Sequence, residues 1–184
     1  MVYTGIYQCV VMNKDPNLFL FKVCDQLEAQ SIPYAIVGGH AVAIHGAVRG
    51  TVDIDVIIQW NQSNLKKVEK ALNSIGLQSR LPINSESVFQ FRDEYIKNRN
   101  LIAWNFFNPT NPIEQVDIVI THDLANMSYQ SIKTANGNIN ILAISDLIGM
   151  KKESGRPQDL EDIRALERSE EHTSELQSPC NLVC

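Results

Sequence analysis

The hydrophobic and polar positions of this chain predict an alternation of helices and strands. Apolar residues recur at helical spacing in two long segments, and β-branched or aromatic residues cluster in several short runs bounded by turn-forming residues. The predicted helices span residues 18–30, 40–46, 62–75, 145–150 and 158–166, with Ser145 as the N-cap of the fourth. The predicted strands span residues 34–37, 51–58, 87–91, 101–107, 116–120 and 138–142.

The order of these elements predicts the fold class. Strands and helices alternate in the first part of the chain, whereas several strands follow one another directly in the second part. An α/β (α+β) fold with a small mixed β-sheet and helices packed on it therefore fits better than a doubly wound parallel sheet. The length of 184 residues and the 44% share of hydrophobic residues are typical of one domain with its own core.

The two ends of the chain differ from this domain. Residues 168–184 have neither helical nor strand periodicity, and their back-translation matches the constant parts of a short-read sequencing adapter on both sides of its index. We interpret this segment as a sequencing-adapter artefact, with a native polar tail as the alternative. Because Met12 resembles a natural start, residues 1–11 are interpreted as non-native upstream translation, which leaves residues 12–167 as a domain truncated at its C-terminal end.

Composition and charge limit the classes of function. A net charge of -5 argues against broad electrostatic binding to nucleic acid, which depends on many lysine and arginine contacts to phosphates. The chain has neither an apolar run of about 18 residues nor the pattern of a signal peptide, so we expect a cytoplasmic protein that does not bind a membrane. The four cysteines form no C-x-x-C pair and predict neither a zinc site nor a disulfide framework.

Asp53, Asp55 and Asp117 are the candidate catalytic and metal-binding residues. Asp53 and Asp55 are two residues apart on a predicted strand, so both side chains leave one face, roughly 7 Å apart. Asp117 has the same apolar surroundings on the strand predicted over residues 116–120. Carboxylates grouped in this way repel one another unless cations lie between them, and oxygen ligands suit magnesium. The alternatives are a solvated edge-strand pair and, for Asp117, a loop cap or an ion pair with Arg49.

Gly38 and Gly39 are the candidate phosphate-binding residues. They form a sharp turn between the strand predicted over residues 34–37 and the helix predicted over residues 40–46. Backbone N–H groups at such a turn, together with the N-terminus of the helix, can hold a triphosphate. The Gly-Gly turn and the Asp-x-Asp strand are each weak signals alone, but their combination within about 20 residues is much more specific.

Residues 37–58, VGGHAVAIHGAVRGTVDIDVII, resemble the Gly-Gly/Ser…Asp-x-Asp core of the polymerase-beta-like nucleotidyltransferases. They are most similar to the minimal bacterial branch of that superfamily, which includes the AbiEii-type toxins. Residues 146–151 and 156–163 resemble downstream stretches of the same family, so the resemblance covers residues 18–167. It implies that Asp53 and Asp55 bind two Mg²⁺ ions and that Asp117 is the third carboxylate and the base near the acceptor hydroxyl.

The resemblance also assigns nucleotide-binding residues. It implies that Gly38 and Gly39 hold the phosphates and that Lys151 offers a positive charge to the triphosphate, oriented by an ion pair with Asp159. Without the resemblance, Lys151 and Arg156 would be interpreted as part of a solvated charged face. Many family members have serine at the position of Gly39. Because glycine has no hydroxyl group, this chain lacks one contact to the nucleotide.

These observations predict a metal-dependent enzyme that transfers a nucleoside monophosphate from a nucleoside triphosphate to an acceptor hydroxyl. The acceptor is an RNA end, a protein side chain or a small molecule, and a toxin of this type would have a cognate antitoxin as its partner. The alternative is a catalytically inactive nucleotide-binding or interaction module, either degenerate or truncated. His40 and His45 are interpreted as structural, and Trp104 as a core residue.

Overall fold

The computed structural model describes the backbone of residues 19–177 and the side chains of residues 19–170. The helices are α1 (Phe19–Ala29), α2 (Gly38–Ile44), α3 (Gln62–Ser74), α4 (Ser85–Gln90), α5 (Arg92–Arg99), α6 (Ile144–Ser154) and α7 (Pro157–Gln177). The strands are β1 (Tyr34–Ile36), β2 (Ile54–Ile58), β3 (Gln78–Ser79), β4 (Ala103–Asn108), β5 (Asn111–Val119), β6 (Tyr129–Thr134) and β7 (Gly137–Leu142).

The strands form one mixed sheet in the order β3-β4-β5-β2-β1-β7-β6. The pairs β2–β5 and β1–β7 are parallel, and the neighbouring pairs β1–β2, β4–β5, β3–β4 and β6–β7 are antiparallel. The predicted fold class, a small mixed sheet with helices packed on it, is confirmed. Strands β2 and β5 lie side by side near the centre, although 52 residues separate Ile58 from Asn111 by number.

Helices cover the two faces of the sheet unequally. One face carries the larger core, in which side chains of α1, α3 and α4, such as Val23, Leu65 and Val88, pack with β2 and β5. The other face carries a smaller core formed with α2, α6 and α7. Successive side chains of a strand point to opposite faces, so Ile54, Val56 and Ile58 join the first core while Ile57 joins the second. Asp55, between them, therefore points to the second face.

The strand predicted over residues 87–91 is wrong, because this segment belongs to α4. Asn84 caps the helix: its side-chain oxygen accepts a hydrogen bond from the Ser87 backbone N–H at 2.9 Å, and the Ser87 hydroxyl accepts one from the Asn84 N–H at 3.1 Å. This reciprocal pair satisfies two N–H groups that the first helical turn would otherwise leave without partners. Helix α5 and strands β3 and β6 are present in the structure but were not predicted from the sequence.

Several predicted boundaries also differ from the structure. Strand β2 begins at Ile54 rather than at residue 51, and α2 begins at Gly38, so the two glycines form its first turn instead of preceding it. Ser145 is not the N-cap of α6, because Ala143 occupies that position and provides no side-chain cap. Helix α7 continues to Gln177, into the segment that the sequence predicts to be non-periodic.

Three sequence-based interpretations concern the ends of the chain. Residues 1–11 and 178–184 lie outside the described residues, as does residue 18, the first of the helix predicted over residues 18–30. The interpretation of residues 168–184 as an adapter artefact stays a prediction, since a helical backbone is compatible with either origin. Among the described residues, no helix combines the length and apolar character that crossing a membrane requires.

Candidate active site

Asp55, Asp117 and Asn105 form a row across three neighbouring strands. Asp55 of β2 is paired with Asp117 of β5, and Asp117 is paired in turn with Asn105 of β4. Adjacent strands lie about 4.8 Å apart, so paired side chains on one face are direct neighbours. The strand of Asp117 thus lies beside the strand of Asp55, which brings the two carboxylates together. The Asn105 amide nitrogen donates a hydrogen bond to Asp117 Oδ1 at 2.7 Å.

Asp53 lies outside this row. It is an exposed residue in the bend immediately before β2. The sequence predicts Asp53 on the same strand as Asp55, and this prediction is wrong because β2 begins at Ile54. Its backbone carbonyl accepts a hydrogen bond from His40 Nδ1 at 3.0 Å and lies 3.5 Å from the Thr51 hydroxyl oxygen. A carbonyl oxygen only accepts, so His40 carries its proton on Nδ1. Helix α2 thereby holds the turn that carries Asp53.

A cleft of about 790 Å³ opens above the row. Its floor is the β4–β5 part of the sheet, with Ala103, Asn105, Asp117 and Val119, and one wall is a face of α6, with Leu147, Met150, Lys151 and Ser154. These α6 positions follow the spacing of one helical face. Val37, Gly38 and Asp55 line the cleft at the end of β1, and Arg156 and Asp159 line it at the start of α7. The cleft is therefore apolar along one side and charged beside the carboxylates.

The carboxylates of the row hold their protons more tightly than ordinary aspartates. Burial, followed by repulsion from Asp117 and Asp53, raises the pKa of Asp55 to about 6, although Lys151 and Arg156 partly oppose the shift. Burial also raises the pKa of Asp117, and the charge of Asp53 adds to this, while the hydrogen bond from Asn105 lowers it. Asp53 acts on both carboxylates, so the three negative charges converge at this end of the cleft.

The donor set at this position fits a hard divalent cation. Within the described part of the chain, no three His, Cys, Asp or Glu side chains are arranged closely enough to form a preassembled metal site. Nevertheless, Asp55 and Asp117 are neighbours that repel each other, and Asp53 repels both. A cation relieves such repulsion, and oxygen-only ligands favour magnesium over softer metals. The chemistry of these residues therefore suits magnesium.

Gly38 lies directly against the Asp55 carboxylate. Its φ angle is +60°, a left-handed conformation that glycine adopts without strain, and a Cβ at this position would overlap the Asp55 side chain. At Gly39, a Cβ would lie 2.6 Å from the Thr51 hydroxyl oxygen. The two glycines therefore let the first turn of α2 approach both the carboxylate row and the loop before β2. At Gly39, the Thr51 side chain fills the space that a side chain would take.

Lys151 lies in a buried ion network beside the row. Its side chain is 5% exposed, and its Nζ donates to Asp159 Oδ1 at 2.9 Å and to Asp162 Oδ2 at 2.6 Å. Arg156 Nε donates to Asp159 Oδ2 at 2.9 Å, and Arg49 Nη1 lies 3.8 Å from Asp162 Oδ1. Burial alone would raise the pKa of Asp159, but hydrogen bonds from Arg156 and Lys151 hold it well below its usual range. The predicted Lys151–Asp159 ion pair is present, and Arg49 contacts Asp162 instead of Asp117.

The chain matches no family model, and no curated protein matches it. Solved structures are similar to it in fold. The antibiotic-resistance factor ANT(2'')-Ia is 13% identical, with a TM-score of 0.56 over 82% of this chain and 82% of that one. The lincosamide antibiotic adenylyltransferase LnuA, bound to lincomycin, is 16% identical, with a TM-score of 0.55 over 81% of this chain and 94% of that one.

A third structure is an antigenic nucleotidyltransferase-like protein from Paracoccidioides brasiliensis, which is 14% identical, with a TM-score of 0.52 over 80% of this chain and 72% of that one. The chain has the nucleotidyltransferase fold. At such low identities the similarity concerns the arrangement of the backbone, so the chemistry of this nucleotidyltransferase fold has to be argued from its own side chains.

Sequence reasoning missed two polar side chains of this nucleotidyltransferase fold. Asn105 faces the cleft beside Asp117, but its strand reads simply as an aromatic run, and only the pairing of β4 with β5 reveals the contact. Asp162 completes the ion pairing of Lys151 from the next helix. Its position three residues after Asp159, on one face of a helix, was the available signal. His45, interpreted as structural, has its Nε2 2.8 Å from the backbone carbonyl of Leu142.

Proposed function

We propose that this protein transfers a nucleoside monophosphate from a nucleoside triphosphate to a hydroxyl group and releases pyrophosphate. The observation that carries the proposal is the pairing of Asp55 with Asp117 at the floor of the cleft, directly beneath Gly38. Neighbouring carboxylates next to a close backbone approach suit a reaction in which a polyphosphate must lie beside bound cations.

Each predicted site residue has a role in this proposal. Asp53, Asp55 and Asp117 would hold two Mg²⁺ ions, which when bound neutralise charge on the reacting phosphate. Asp117 accepts the proton of the acceptor hydroxyl. The oxygen of that hydroxyl forms a bond to the α-phosphorus, and the bond between the α-phosphorus and the departing pyrophosphate breaks. Gly38 and Gly39 lie along the phosphates, and Lys151 contributes positive charge on the nucleotide side. Asn105 keeps one oxygen of Asp117 occupied, which leaves the other free.

Two of the three candidate acceptor classes are each supported by a different likeness. The sequence resembles AbiEii-type toxins, which favours an RNA acceptor, a cognate antitoxin and a place in a toxin–antitoxin pair. The fold is similar to that of LnuA, an adenylyltransferase whose structure contains lincomycin, which favours a small molecule. A protein side chain is a third acceptor that the open cleft can admit.

The test is a transfer assay with the full chain. Each nucleoside triphosphate, labelled at the α-phosphate, is incubated with magnesium and with total RNA, protein, an aminoglycoside or a lincosamide. The Asp53→Ala, Asp55→Ala double variant should lose transfer, whereas Asp93→Ala, which removes an exposed carboxylate of α5, should keep it. Labelled product in one acceptor pool would identify the acceptor class.

A catalytically inactive module is the competing function. In that case the protein would bind magnesium and nucleotide in the cleft, and the double variant would lose binding, but no acceptor would become labelled. Absence of both transfer and magnesium-dependent nucleotide binding would contradict the proposed function. Binding is therefore measured on the same samples by isothermal titration calorimetry with a nucleotide analogue that resists cleavage at the α-phosphate.

A further inference from the structure

Three cations and two carboxylates meet where α6, α7 and the loop before β2 come together. Lys151 and Arg156 share Asp159, while Lys151 and Arg49 share Asp162. Each of these carboxylates is at most 6% exposed at its side chain. Because two negative charges face three positive ones, the network carries a surplus of positive charge.

The surplus charge is accessible at Arg156. The Lys151 side chain is 5% exposed and the Arg49 side chain 18%, whereas the Arg156 side chain is 71% exposed. The Lys151 ammonium already donates to two carboxylates within 3 Å, at 2.9 and 2.6 Å. One N–H donor of the ammonium remains, but the side chain is almost fully buried, so a phosphate group has little access to it. Lys151 is therefore poorly placed to bind a ligand directly.

Arg156 has the geometry that Lys151 lacks. It lines the same cleft as Asp55 and Asp117, so its guanidinium faces the space above the carboxylate row. Arg156 Nε donates a hydrogen bond to the Asp159 carboxylate at 2.9 Å, and Arg156 Nη2 lies 3.4 Å from the same carboxylate. A guanidinium has five N–H donors, so one edge can stay on Asp159 while other N–H groups face an oxyanion.

We propose that Arg156 is the residue that binds the β- and γ-phosphates of the nucleoside triphosphate, and that Lys151 is a positioning residue. Lys151 fixes Asp159, and Asp159 fixes the guanidinium at the edge of the cleft. This inference rests on the proposed function, because it names the contact through which that function would hold its nucleotide. It differs from the interpretation of Lys151 as the direct phosphate ligand.

The experiment compares the binding of MgATP, Mg-pyrophosphate and AMP to the full-length protein by calorimetry. Arg156→Met should weaken MgATP and Mg-pyrophosphate by about tenfold or more, the size expected for losing a charge-assisted contact to phosphate. AMP lacks the β- and γ-phosphates, so its affinity should change less than about twofold. Arg156→Lys keeps the charge without the planar fork and should recover part of the loss.

Arg164→Met is the matched control, since it removes an exposed arginine of α7, the helix that follows Arg156, away from the cleft. It should leave all three affinities unchanged. Equal binding of MgATP by the parent and by Arg156→Met would overturn the inference and leave the proposed function standing. An equal loss of AMP and MgATP affinity would also overturn it, because that result indicates a general disturbance of the cleft. Failure of the parent to bind MgATP would instead count against the proposed function.

Discussion

Replacing Asp55 by asparagine should stabilise the metal-free protein. Burial and the neighbouring carboxylates raise the pKa of Asp55 from 3.8 to about 6. The folded state then binds the proton more tightly than the unfolded state, so ionising Asp55 favours unfolding. A shift of about 2 units corresponds to about 3 kcal/mol, since each unit is about 1.4 kcal/mol. The asparagine side chain has nearly the same shape and removes this cost.

The sign of the effect fixes its pH dependence. Below the unfolded pKa of 3.8 both states are protonated and the cost is absent; it grows as pH rises and is complete above about 6. Asp55→Asn should therefore raise the free energy of unfolding by about 1 kcal/mol at pH 4.5 and by about 3 kcal/mol at pH 7.5. Urea denaturation in the presence of EDTA measures both values on the parent and the variant.

Two comparisons make the experiment decisive. Asp93→Asn removes an exposed carboxylate, 81% accessible at its side chain, and controls for the change in net charge. Magnesium without EDTA should stabilise the parent and should stabilise Asp55→Asn much less, because the variant lacks a ligand. The reasoning would be refuted if Asp55→Asn were no more stable than the parent at pH 7.5, or if its gain were the same at both pH values.

Three further substitutions have defined outcomes. Gly38→Ala places a Cβ against the Asp55 carboxylate at a φ of +60°, and should lower kcat for transfer at least about tenfold while circular dichroism stays unchanged. Lys151→Met leaves buried carboxylates without their shared cation, so urea denaturation should show a loss of about 3 kcal/mol, whereas the exposed Lys152→Met should lose less than about 0.5. Asn105→Ala removes a hydrogen bond that lowers the pKa of Asp117, so carboxyl carbon NMR of the magnesium-free protein should find that pKa still higher.

The parts of the fold that the sequence predicted well are those in which short-range pattern and long-range packing agree. The β-branched run around Asp55 is buried on one side by α1 and α3, so its local preference and its tertiary surroundings both favour a strand. Residues 87–91 contain Val88, Phe89 and Phe91, and β-branched and aromatic residues are enriched in strands. The capping pair of Asn84 and Ser87 instead starts a helix there, and this pair was readable from the spacing of the two residues.

The candidate site was predictable only as far as its individual carboxylates. Asp55 and Asp117 stand out because aspartate is unusual within apolar strands. The polar neighbours within the site come from adjacent elements: Asn105 reaches Asp117 from the neighbouring strand, and Asp162 reaches Lys151 from the next helix. A single sequence contains no record of strand register, so the contact of Asn105 with Asp117 could not be read from it.

The charges of the cleft form two sets of opposite sign that face each other. The carboxylate row has excess negative charge, which raises the pKa of Asp55, while the network around Lys151 has excess positive charge, exposed at Arg156. The two sets partly compensate, since Lys151 and Arg156 lower the pKa of Asp55. A magnesium–nucleotide complex brings a cation to the row and phosphates to the arginine, so it satisfies both sets at once. Magnesium alone would leave the positive network without a counter-charge, and nucleotide alone would face the carboxylates, so each should bind more tightly in the presence of the other.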